Sequence, residues 1–454
     1  MADATPTNTF LEGNFAPMPF ETTAWDLEVD GALPEALTGR YVRNGPNPLH
    51  PDPTNHHWFV GEGMVHGVRL RGGRAEWYRS RLVGCPTVQA AKGEPEVPTD
   101  DGGVIPGVGN TNLFHHAGAM WAINELSLPY RLTPELDTVA AEAFGGPLPN
   151  GITAHPTFDP DTGAMHVMAY SFGPPHLLYH EISPEGRVVR TEELAVGGPT
   201  MVHDMAMSQR WVVAFDLPVL FDLGMAAAGR SLPYSWQDDY PARIGLLPRA
   251  GTGADTVWID VDPCYVFHTL NAFDDGDRLV VDLVRHPSMF RTDHDGPNEG
   301  TPVLERWTVD PAARVVKREV LDDRPQEFPR ADERLAGRRH RYGYTVNVDL
   351  TDMGGGPTRT SSVLRYDLEA GTVAAHDLGP GRTASEVVFV PAADDAAEDE
   401  GWLLGYVHDA ATDRSDLVVL DARDVAAPPV ATVHLPVRVP AGFHGNWVPD
   451  RALA

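Results

Sequence analysis

Residues 151–171 read GITAHPTFDPDTGAMHVMAYS. His155 stands just before a short run of strand-forming residues, an Asp-Pro-Asp-Thr-Gly turn follows over 159–163, and a second apolar run ends the stretch. Because Asp, Pro and Gly favour turns, the stretch predicts two strands joined by a tight turn, with a histidine at the entrance of the first strand. We interpret this unit as the element that the rest of the chain repeats.

Three later segments repeat the arrangement of a histidine beside strand-like sequence. They are Met201-Val202-His203-Asp204, Val266-Phe267-His268-Thr269 and Gly442-Phe443-His444-Gly445. A single histidine is more often a surface or core residue than a ligand. Four in the same setting of small or apolar neighbours predict one metal site, made by His155, His203, His268 and His444. Imidazole suits zinc, copper, iron and nickel, and the local sequence does not choose among them.

Hairpin patterns cover most of the chain. The clearest spans residues 64–81, where MVHGVRLRGGRAEWYRSR alternates on both sides of Gly72-Gly73. Two strands around a turn also describe residues 111–126, 177–194, 205–217, 272–286, 303–321, 363–378 and 403–422. Long helical periodicity is scarce, so the pattern predicts an all-β fold.

A β-propeller uses many similar hairpins without leaving long open sheet edges. Its blades repeat about every 40–50 residues, which suits the spacing of the first three histidine segments if residues 217–250 are an insertion. Histidines at the inner edge of successive blades would point to the central axis and converge there. A sandwich or a barrel fits the strand pattern alone. We expect one domain over residues 1–454, with cap insertions near 86–109 and 217–250.

The two insertions differ in character. Residues 86–109 are polar and rich in Gly and Pro, which predicts a loop or lid. Residues 218–228, followed by Gly229, have the best helical pattern and are almost entirely apolar. This segment fits either a cap packed over the fold or an apolar rim at a tunnel mouth that docks on lipid.

Composition limits the classes of partner. The formal net charge of −29 argues against nucleic acid and against general attraction to anionic membranes. Cys85 and Cys264 are too few for a disulfide framework. The first residues carry neither a basic segment nor an apolar core, and no run is long enough to span a membrane. These features predict a soluble cytoplasmic protein.

Three glutamates are candidates for orienting the histidines. Glu125, Glu327 and Glu386 each lie within or against an apolar strand, where an unpaired carboxylate is unfavourable. Metal-bound histidines normally donate their second N–H to a carboxylate or a carbonyl. An ordinary salt bridge to a nearby arginine is the alternative interpretation.

Several motifs in order resemble the carotenoid cleavage oxygenase family, from about residue 8 to residue 450. They are Gly39-Arg40-Tyr41-Val42-Arg43-Asn44-Gly45-Pro46-Asn47-Pro48, His57-Trp58-Phe59-Val60-Gly61-Glu62-Gly63-Met64-Val65-His66-Gly67, Asn110-Thr111-Asn112, the four histidine segments, Glu327-Phe328-Pro329-Arg330 and Phe443-His444-Gly445. A single one of these matches would be weak evidence for the family, whereas the whole series in the same order is a specific signal.

The resemblance implies a seven-bladed β-propeller with a loop and helix cap over one face. It implies an Fe(2+) ion held by His155, His203, His268 and His444, with Glu125, Glu327 and Glu386 behind the histidines. Thr111 matches a threonine beside the open coordination position. It implies no catalytic side chain beyond the iron site and no other cofactor. It also favours peripheral membrane contact through 217–235.

The implied reaction cleaves a C=C bond of a small apolar substrate with O2 and gives two carbonyl products. The stilbene-cleaving branch carries a lysine where this chain has Asn124, so the resemblance favours a carotenoid or apocarotenoid over a stilbene or phenylpropenoid. A non-catalytic propeller that binds an apolar ligand or a protein is the remaining alternative. The sequence does not indicate an oligomeric state.

Overall fold

The computed structural model describes residues 8–100, 104, 106–297, 299–347 and 361–453. The expected single domain over 1–454 therefore includes residues outside the described part, and so does the insertion at 86–109, of which 101–103 and 105 fall outside it. The domain boundaries stay a prediction.

Strands dominate the described residues. The first are β1 (Thr23–Trp25), β2 (Val29–Gly31), β3 (Gly39–Pro46), β4 (Gly63–Arg71), β5 (Arg74–Leu82), β6 (Asn112–His116), β7 (Ala119–Ile123), β8 (Tyr130–Leu132), β9 (Thr138–Ala141), β10 (Thr157–Phe158), β11 (Met165–Tyr170), β12 (Leu177–Ile182), β13 (Val188–Glu193), β14 (Ala206–Met207), β15 (Trp211–Asp216), β16 (Val219–Phe221), β17 (Tyr234–Trp236), β18 (Arg243–Pro248) and β19 (Val257–Asp260). The others are β20 (Tyr265–Asp275), β21 (Arg278–His286), β22 (Val303–Asp310), β23 (Val315–Asp322), β24 (Glu327–Arg330), β25 (Tyr342–Asn347), β26 (Ser362–Asp367), β27 (Thr372–Asp377), β28 (Arg382–Ala384), β29 (Val388–Pro391), β30 (Gly401–Asp409), β31 (Arg414–Asp421), β32 (Ala431–His434) and β33 (Gly445–Pro449).

In the described residues these strands form eight antiparallel sheets, of which seven are the blades of a propeller and the eighth is the two-stranded ribbon of β16 and β17. The blades are β6–β9, β10–β13, β14-β15-β18-β19, β20–β23, β24–β27, β2 with β28–β32, and β1-β5-β4-β3-β33. The predicted seven-bladed propeller is confirmed for the described residues. The predicted hairpin of residues 151–171 is formed by β10 and β11. The Gly72-Gly73 turn joins β4 to β5, and its two residues have φ of 56° and 69°, values that favour glycine.

Burial falls from the middle of each blade to its rim. The middle strand β21 is buried along almost all its length, whereas the outer strands β13 and β27 alternate between partly buried and exposed residues. Continuous apolar sequence therefore marks strands packed on both faces, and alternation marks the outer edge. The apolar core lies between adjacent blades, with Trp307 and Tyr265 among its largest fully buried side chains.

The two ends of the chain close the ring. The last strand, β33, pairs with β3 in a register that sets Arg43 opposite Gly445 and Gly39 opposite Pro449. A side chain at Gly39 would come within 2.5 Å of the Val448 carbonyl oxygen, so only glycine allows this close approach. Closure fixes the position of His444, which directly precedes β33.

The cap differs from the sequence prediction in both insertions. The predicted helix over 218–228 is instead strand β16 followed by the short helix α2 (Leu223–Ala227). β16 pairs with β17 as a separate ribbon, and Asp222 accepts a hydrogen bond from Met225 N to start the helix. Residues 86–109 begin with helix α1 (Pro86–Lys92) rather than with a loop. Pro86 in its first turn and left-handed Gly93 at its end are the signals for that helix.

Short 3-10 turns cover Thr9–Leu11, Gly13–Phe15, Gly253–Asp255, Glu333–Leu335 and Asp450–Leu453. Neither α-helix of the described residues has the length and apolar character needed to cross a membrane.

Candidate metal centre

Four blades bring their histidines to one point. His155 and His203 lie just before β10 and β14, His268 lies near the start of β20, and His444 directly precedes β33. One ring nitrogen from each lies within 4.8 Å of the corresponding nitrogens of the others. The Nε2 atoms of His155 and His203 are 3.0 Å apart. The four histidines singled out in the sequence therefore surround a common centre.

Local backbone irregularities aim two of the groups at the centre. The β20–β21 pairing shifts register between Val266 and Thr269, a bulge that includes His268. The β24–β25 pairing shifts between Glu327 and Arg330, and Phe328 in that interval has a φ of 56°. Bulges redirect side chains at functional sites, and here they turn an imidazole and its carboxylate partner toward each other.

Each of the three predicted glutamates contacts a different histidine. Glu327 Oε2 lies 2.6 Å from His268 Nδ1, and Glu386 Oε1 lies 3.1 Å from His444 Nδ1. Glu125 Oε1 lies 3.1 Å from His203 Nδ1 in an ion-pair contact that is not aligned as a hydrogen bond. Within the described part of the chain no carboxylate pairs with His155. The Nδ1 atoms of the three paired rings face carboxylates, which leaves their Nε2 atoms for a ligand.

All three carboxylates also have other partners. Glu125 Oε1 accepts a hydrogen bond of 3.1 Å from Ala154 N. Glu327 Oε1 lies 2.7 Å from Nε2 of the buried His286. Glu386 Oε2 lies 3.2 Å from Arg330 Nη1 and accepts a hydrogen bond of 2.7 Å from Gly445 N. The alternative of an arginine salt bridge thus describes a second contact of Glu386. His286 was not predicted from the sequence, since its position at the end of β21 carries no motif.

Electrostatics favour ionised carboxylates at Glu327 and Glu386 and neutral imidazoles at His155 and His444. Burial opposes the charge of Glu386, yet Arg330 and His444 hold its pKa at about 2. Burial likewise opposes the charge of Glu327, but its histidine contacts keep its pKa far below the ordinary value. Burial lowers the pKa of His444 to about 4, and burial followed by the other histidines lowers the pKa of His155 well below its usual range. Neutral imidazoles are the form that binds metals.

The arrangement of ring nitrogens fits a divalent transition metal. His268 Nε2 is buried and has no hydrogen-bond partner among the described residues. Against the effect of burial, Glu327 raises the pKa of His268, so a cation at the centre would compete with a proton there. Metal–imidazole bonds are about 2.0–2.1 Å long, so two neighbouring ligands at right angles stand about 3.0 Å apart. The 3.0 Å between the Nε2 atoms of His155 and His203 matches that spacing.

An apolar cavity of about 330 Å3 reaches the centre from the cap side. Its lining includes His203, His268 and His444, together with Thr111. Aromatic rings form much of the wall, namely Trp58, Phe59, Phe172, Phe267, Phe328 and Phe443. This role of the aromatic residues was not predicted from the sequence, although Phe267 and Phe443 each directly precede one of the histidines.

A second cavity, of about 600 Å3, reaches His155, His268 and His444 as well. Its wall carries the polar groups Asp204, Asn271, Asp332 and Asn446. The histidine cluster therefore lies between an apolar cavity and a polar one. The first cavity has fewer polar groups in its wall, so it is the better site for a hydrophobic substrate.

Residues 15–449 match the sequence model of a family described as "Retinal pigment epithelial membrane protein". A carotenoid cleavage oxygenase of Mycobacterium tuberculosis is 42% identical, over 97% of this chain and 98% of the relative. The chain belongs to the carotenoid cleavage oxygenase family. Carotenoid 9,10(9',10')-cleavage dioxygenase 1 of Arabidopsis thaliana is 32% identical, over 100% of this chain and 92% of the relative.

Membership confirms the resemblance found in the sequence and makes the chain an oxidoreductase of the dioxygenase class. Among solved structures, a lignostilbene dioxygenase of Pseudomonas brassicacearum superposes with a TM-score of 0.87 at 28% identity, covering 99% of this chain and 100% of the other. The propeller architecture is thus common to this chain and a lignostilbene dioxygenase.

Proposed function

We propose that the protein is a non-haem iron(II) dioxygenase that cleaves a C=C bond of a carotenoid or apocarotenoid into two carbonyl products. The observation that carries the proposal is the four-imidazole cluster at the end of an apolar, aromatic-lined cavity. Such a site combines an all-nitrogen metal set with a water-poor space for a hydrocarbon chain.

His155, His203, His268 and His444 would hold the ion. When bound, ferrous iron supplies the activation of O2 that oxidative cleavage of a double bond requires. Both oxygen atoms of O2 balance the two new carbonyl groups, so the overall reaction needs no proton, reductant or side-chain nucleophile from the protein.

The surrounding residues position the ligands and the substrate. Glu125, Glu327 and Glu386 orient three imidazoles and fix which ring nitrogen faces the ion. Thr111 donates its hydroxyl hydrogen to Asn110 Oδ1 at 2.9 Å. Its methyl group is then the part of the side chain left to narrow the approach to the open coordination position, which is the role we propose for it.

The cavity favours a polyene over a phenolate. Burying apolar substrate surface stabilises binding by about 25 cal/mol per Å2. Asn124 stands where the resemblance places a lysine in stilbene-cleaving relatives. Its Oδ1 accepts hydrogen bonds from Gly109 N at 2.9 Å and from Ser127 Oγ at 2.8 Å, and its Nδ2 donates to Glu125 O at 2.9 Å. The amide is therefore occupied within its own loop and offers no charge to a phenolate.

Incubation of the iron-loaded protein with a panel of carotenoids, apocarotenals and hydroxystilbenes tests the proposal. We expect paired aldehyde or ketone products from the isoprenoid compounds, identified by mass spectrometry, with 18O from 18O2 in the products. Cleavage of the stilbenes alone would support the second candidate, which the likeness to the lignostilbene dioxygenase favours. A protein that binds no stoichiometric metal and cleaves nothing would instead be a binding propeller.

We also propose that the enzyme works in the cytoplasm and touches membranes through residues 217–235. The two cysteines are free and buried, which suits a reducing compartment. Leu223 in α2 is 74% exposed, and Phe172, which lines the cavity, is 49% exposed and stacks on Phe221 with ring centroids 4.0 Å apart. An exposed apolar group beside the cavity would let a lipid-dissolved substrate enter without crossing water.

Leu223→Asp should weaken binding to neutral phosphatidylcholine vesicles by about tenfold, because a buried leucine contributes roughly 1.5–3 kcal/mol. Vesicle flotation measures the bound fraction. Val315→Asp is the matched control, since Val315 is 55% exposed on the outer strand β23, away from the cavity lining. Equal flotation of both variants would rule out docking through α2.

A further inference from the structure

Two tyrosines interrupt the apolar wall of the cavity. Tyr170 is the last residue of β11 in the propeller, and Tyr234 is the first residue of β17 in the cap. Both line the cavity, and their exposed fractions are only 2% and 6%. The ribbon of β16 and β17 thus contributes the phenol of Tyr234, and a blade contributes the phenol of Tyr170, to the cavity that the histidines also line.

The hydroxyls of this pair have more hydrogen-bonding capacity than the protein uses. Tyr234 Oη is buried and has no aligned partner in the described part of the chain. The Tyr170 hydroxyl is close enough that the two groups perturb each other's pKa. If one tyrosine hydroxyl donates its hydrogen to the other, the hydrogen of the second hydroxyl still has no acceptor. A buried polar group without a partner is unfavourable, so the pair needs a further acceptor.

The electrostatics around the two tyrosines favour a neutral ligand group over a charged one. Burial raises the pKa of Tyr170 and of Tyr234, and the nearby Glu125 carboxylate raises both further. Both phenols therefore stay neutral at physiological pH. The same negative charge disfavours an anionic ligand group. A neutral oxygen, as in a hydroxyl or a carbonyl, meets both conditions.

Neighbouring rings place the pair near the mouth of the cavity. The Tyr234 ring centroid lies 6.0 Å from that of Phe221 and 6.5 Å from that of Phe172, which is 49% exposed. His203, His268 and His444 line the same cavity. A long substrate with a double bond at the histidines would leave one end group beside the tyrosines.

We propose that Tyr170 and Tyr234 bind the neutral oxygen of a substrate end group, a hydroxyl or a carbonyl, and thereby select oxygenated over purely hydrocarbon substrates. The inference rests on the proposed function, since it takes an elongated alkene as the substrate. Asn110 and Asn124 also line the cavity, but their amides are occupied by backbone and side-chain partners. The tyrosine pair is the better candidate for the polar contact.

Tyr234→Phe and Tyr170→Phe test the assignment with a matched pair of probes, a carotenoid hydrocarbon that carries one hydroxyl on a terminal ring and no carbonyl, and the same hydrocarbon without the hydroxyl. Quenching of tryptophan fluorescence reports binding without turnover, because Trp58 lines the cavity. We expect about three- to tenfold weaker binding of the hydroxylated probe to each variant. Binding of the hydrocarbon-ended probe should not change, which also shows that the variants are folded.

Tyr265→Phe is the control. Its hydroxyl donates to Met201 O at 3.0 Å and does not line the cavity, so this variant should not change the preference between the probes. The same binding measurement with 4-hydroxystilbene and stilbene shows which class of compound carries the recognised hydroxyl. If the Phe variants lose affinity only for 4-hydroxystilbene, the tyrosine assignment holds and the substrates are phenols.

Two failures are distinguishable. If the unaltered protein binds no member of either pair, the proposed function is wrong. If it binds them but the Phe variants weaken both members of a pair equally, or neither member, the tyrosine assignment alone is wrong.

Discussion

His155→Ala is expected to abolish iron binding and cleavage while leaving the propeller folded. The substitution removes one of four nitrogens at the centre. Changes to residues behind the ligands already weaken metal binding about 10–100-fold, so loss of a ligand should exceed that. His155 is the best position for this test because no carboxylate pairs with it in the described residues, and its removal therefore leaves no buried charge unpaired.

Metal content per chain, product formation and thermal unfolding of the metal-free protein check this prediction. His115→Ala is the matched control, since His115 lines the polar cavity without belonging to the cluster. The control should retain iron and activity. Full iron content in His155→Ala, or equal loss in both variants, would contradict the assignment.

Glu327→Gln is expected to weaken metal affinity by about 10–100-fold. The carboxylate contacts His268 Nδ1 at 2.6 Å and His286 Nε2 at 2.7 Å, and its Oε2 accepts from Phe328 N. Glutamine has the same size but lacks the charge that increases the basicity of His268. The unfolding free energy should also fall by about 1–3 kcal/mol, because the amide cannot satisfy all these buried partners.

Glu305→Gln separates the two effects. Glu305 is also buried, and it accepts hydrogen bonds from Trp307 Nε1 at 2.8 Å and from Arg318 Nε at 3.0 Å. It lines neither of the two cavities that reach the histidines. It should lose stability but keep metal affinity. Isothermal titration of the metal-free proteins with Co2+ measures the affinities. An unchanged affinity in Glu327→Gln would show that the carboxylate only stabilises the fold.

Local sequence predicted the repeated unit well because turns and alternation are local properties. Residues 64–81 and 111–126 form β4–β5 and β6–β7 as expected, with turns at Gly72-Gly73 and at Ala117-Gly118. The number of blades is a property of ring closure, which depends on β33 pairing with β3 across almost the whole chain. The sequence pattern alone left a sandwich or a barrel open, and the family resemblance supplied the seven blades.

The cap shows where periodicity fails as a guide. The apolar residues 218–228 fit a helix, but Val219–Phe221 pair with Tyr234–Trp236 and only Leu223–Ala227 are helical. A strand pairing with a later segment overrides local preference. Helix α1 was missed although Pro86 and Gly93 signal its two ends, because the polar composition of the whole insertion outweighed these two residues.

The residues of the centre were accessible from sequence only through repeated context and resemblance. Each of the four histidines lies at or near the start of a strand, and each of the three glutamates lies in an apolar stretch. Neither pattern predicts how far apart these side chains are in the folded chain. His286 and the pair Tyr170 and Tyr234 carry no such pattern. Their contacts arise from the packing of β21, β11 and the cap ribbon, which only the folded chain shows.

Anomalous diffraction at the iron absorption edge, from crystals of the iron-loaded protein, locates the metal and shows whether the four histidines bind it. We expect one strong peak per chain within bonding distance, about 2.0–2.2 Å, of a ring nitrogen from each of His155, His203, His268 and His444. No peak at that point, or a peak bound by other residues, would contradict this expectation.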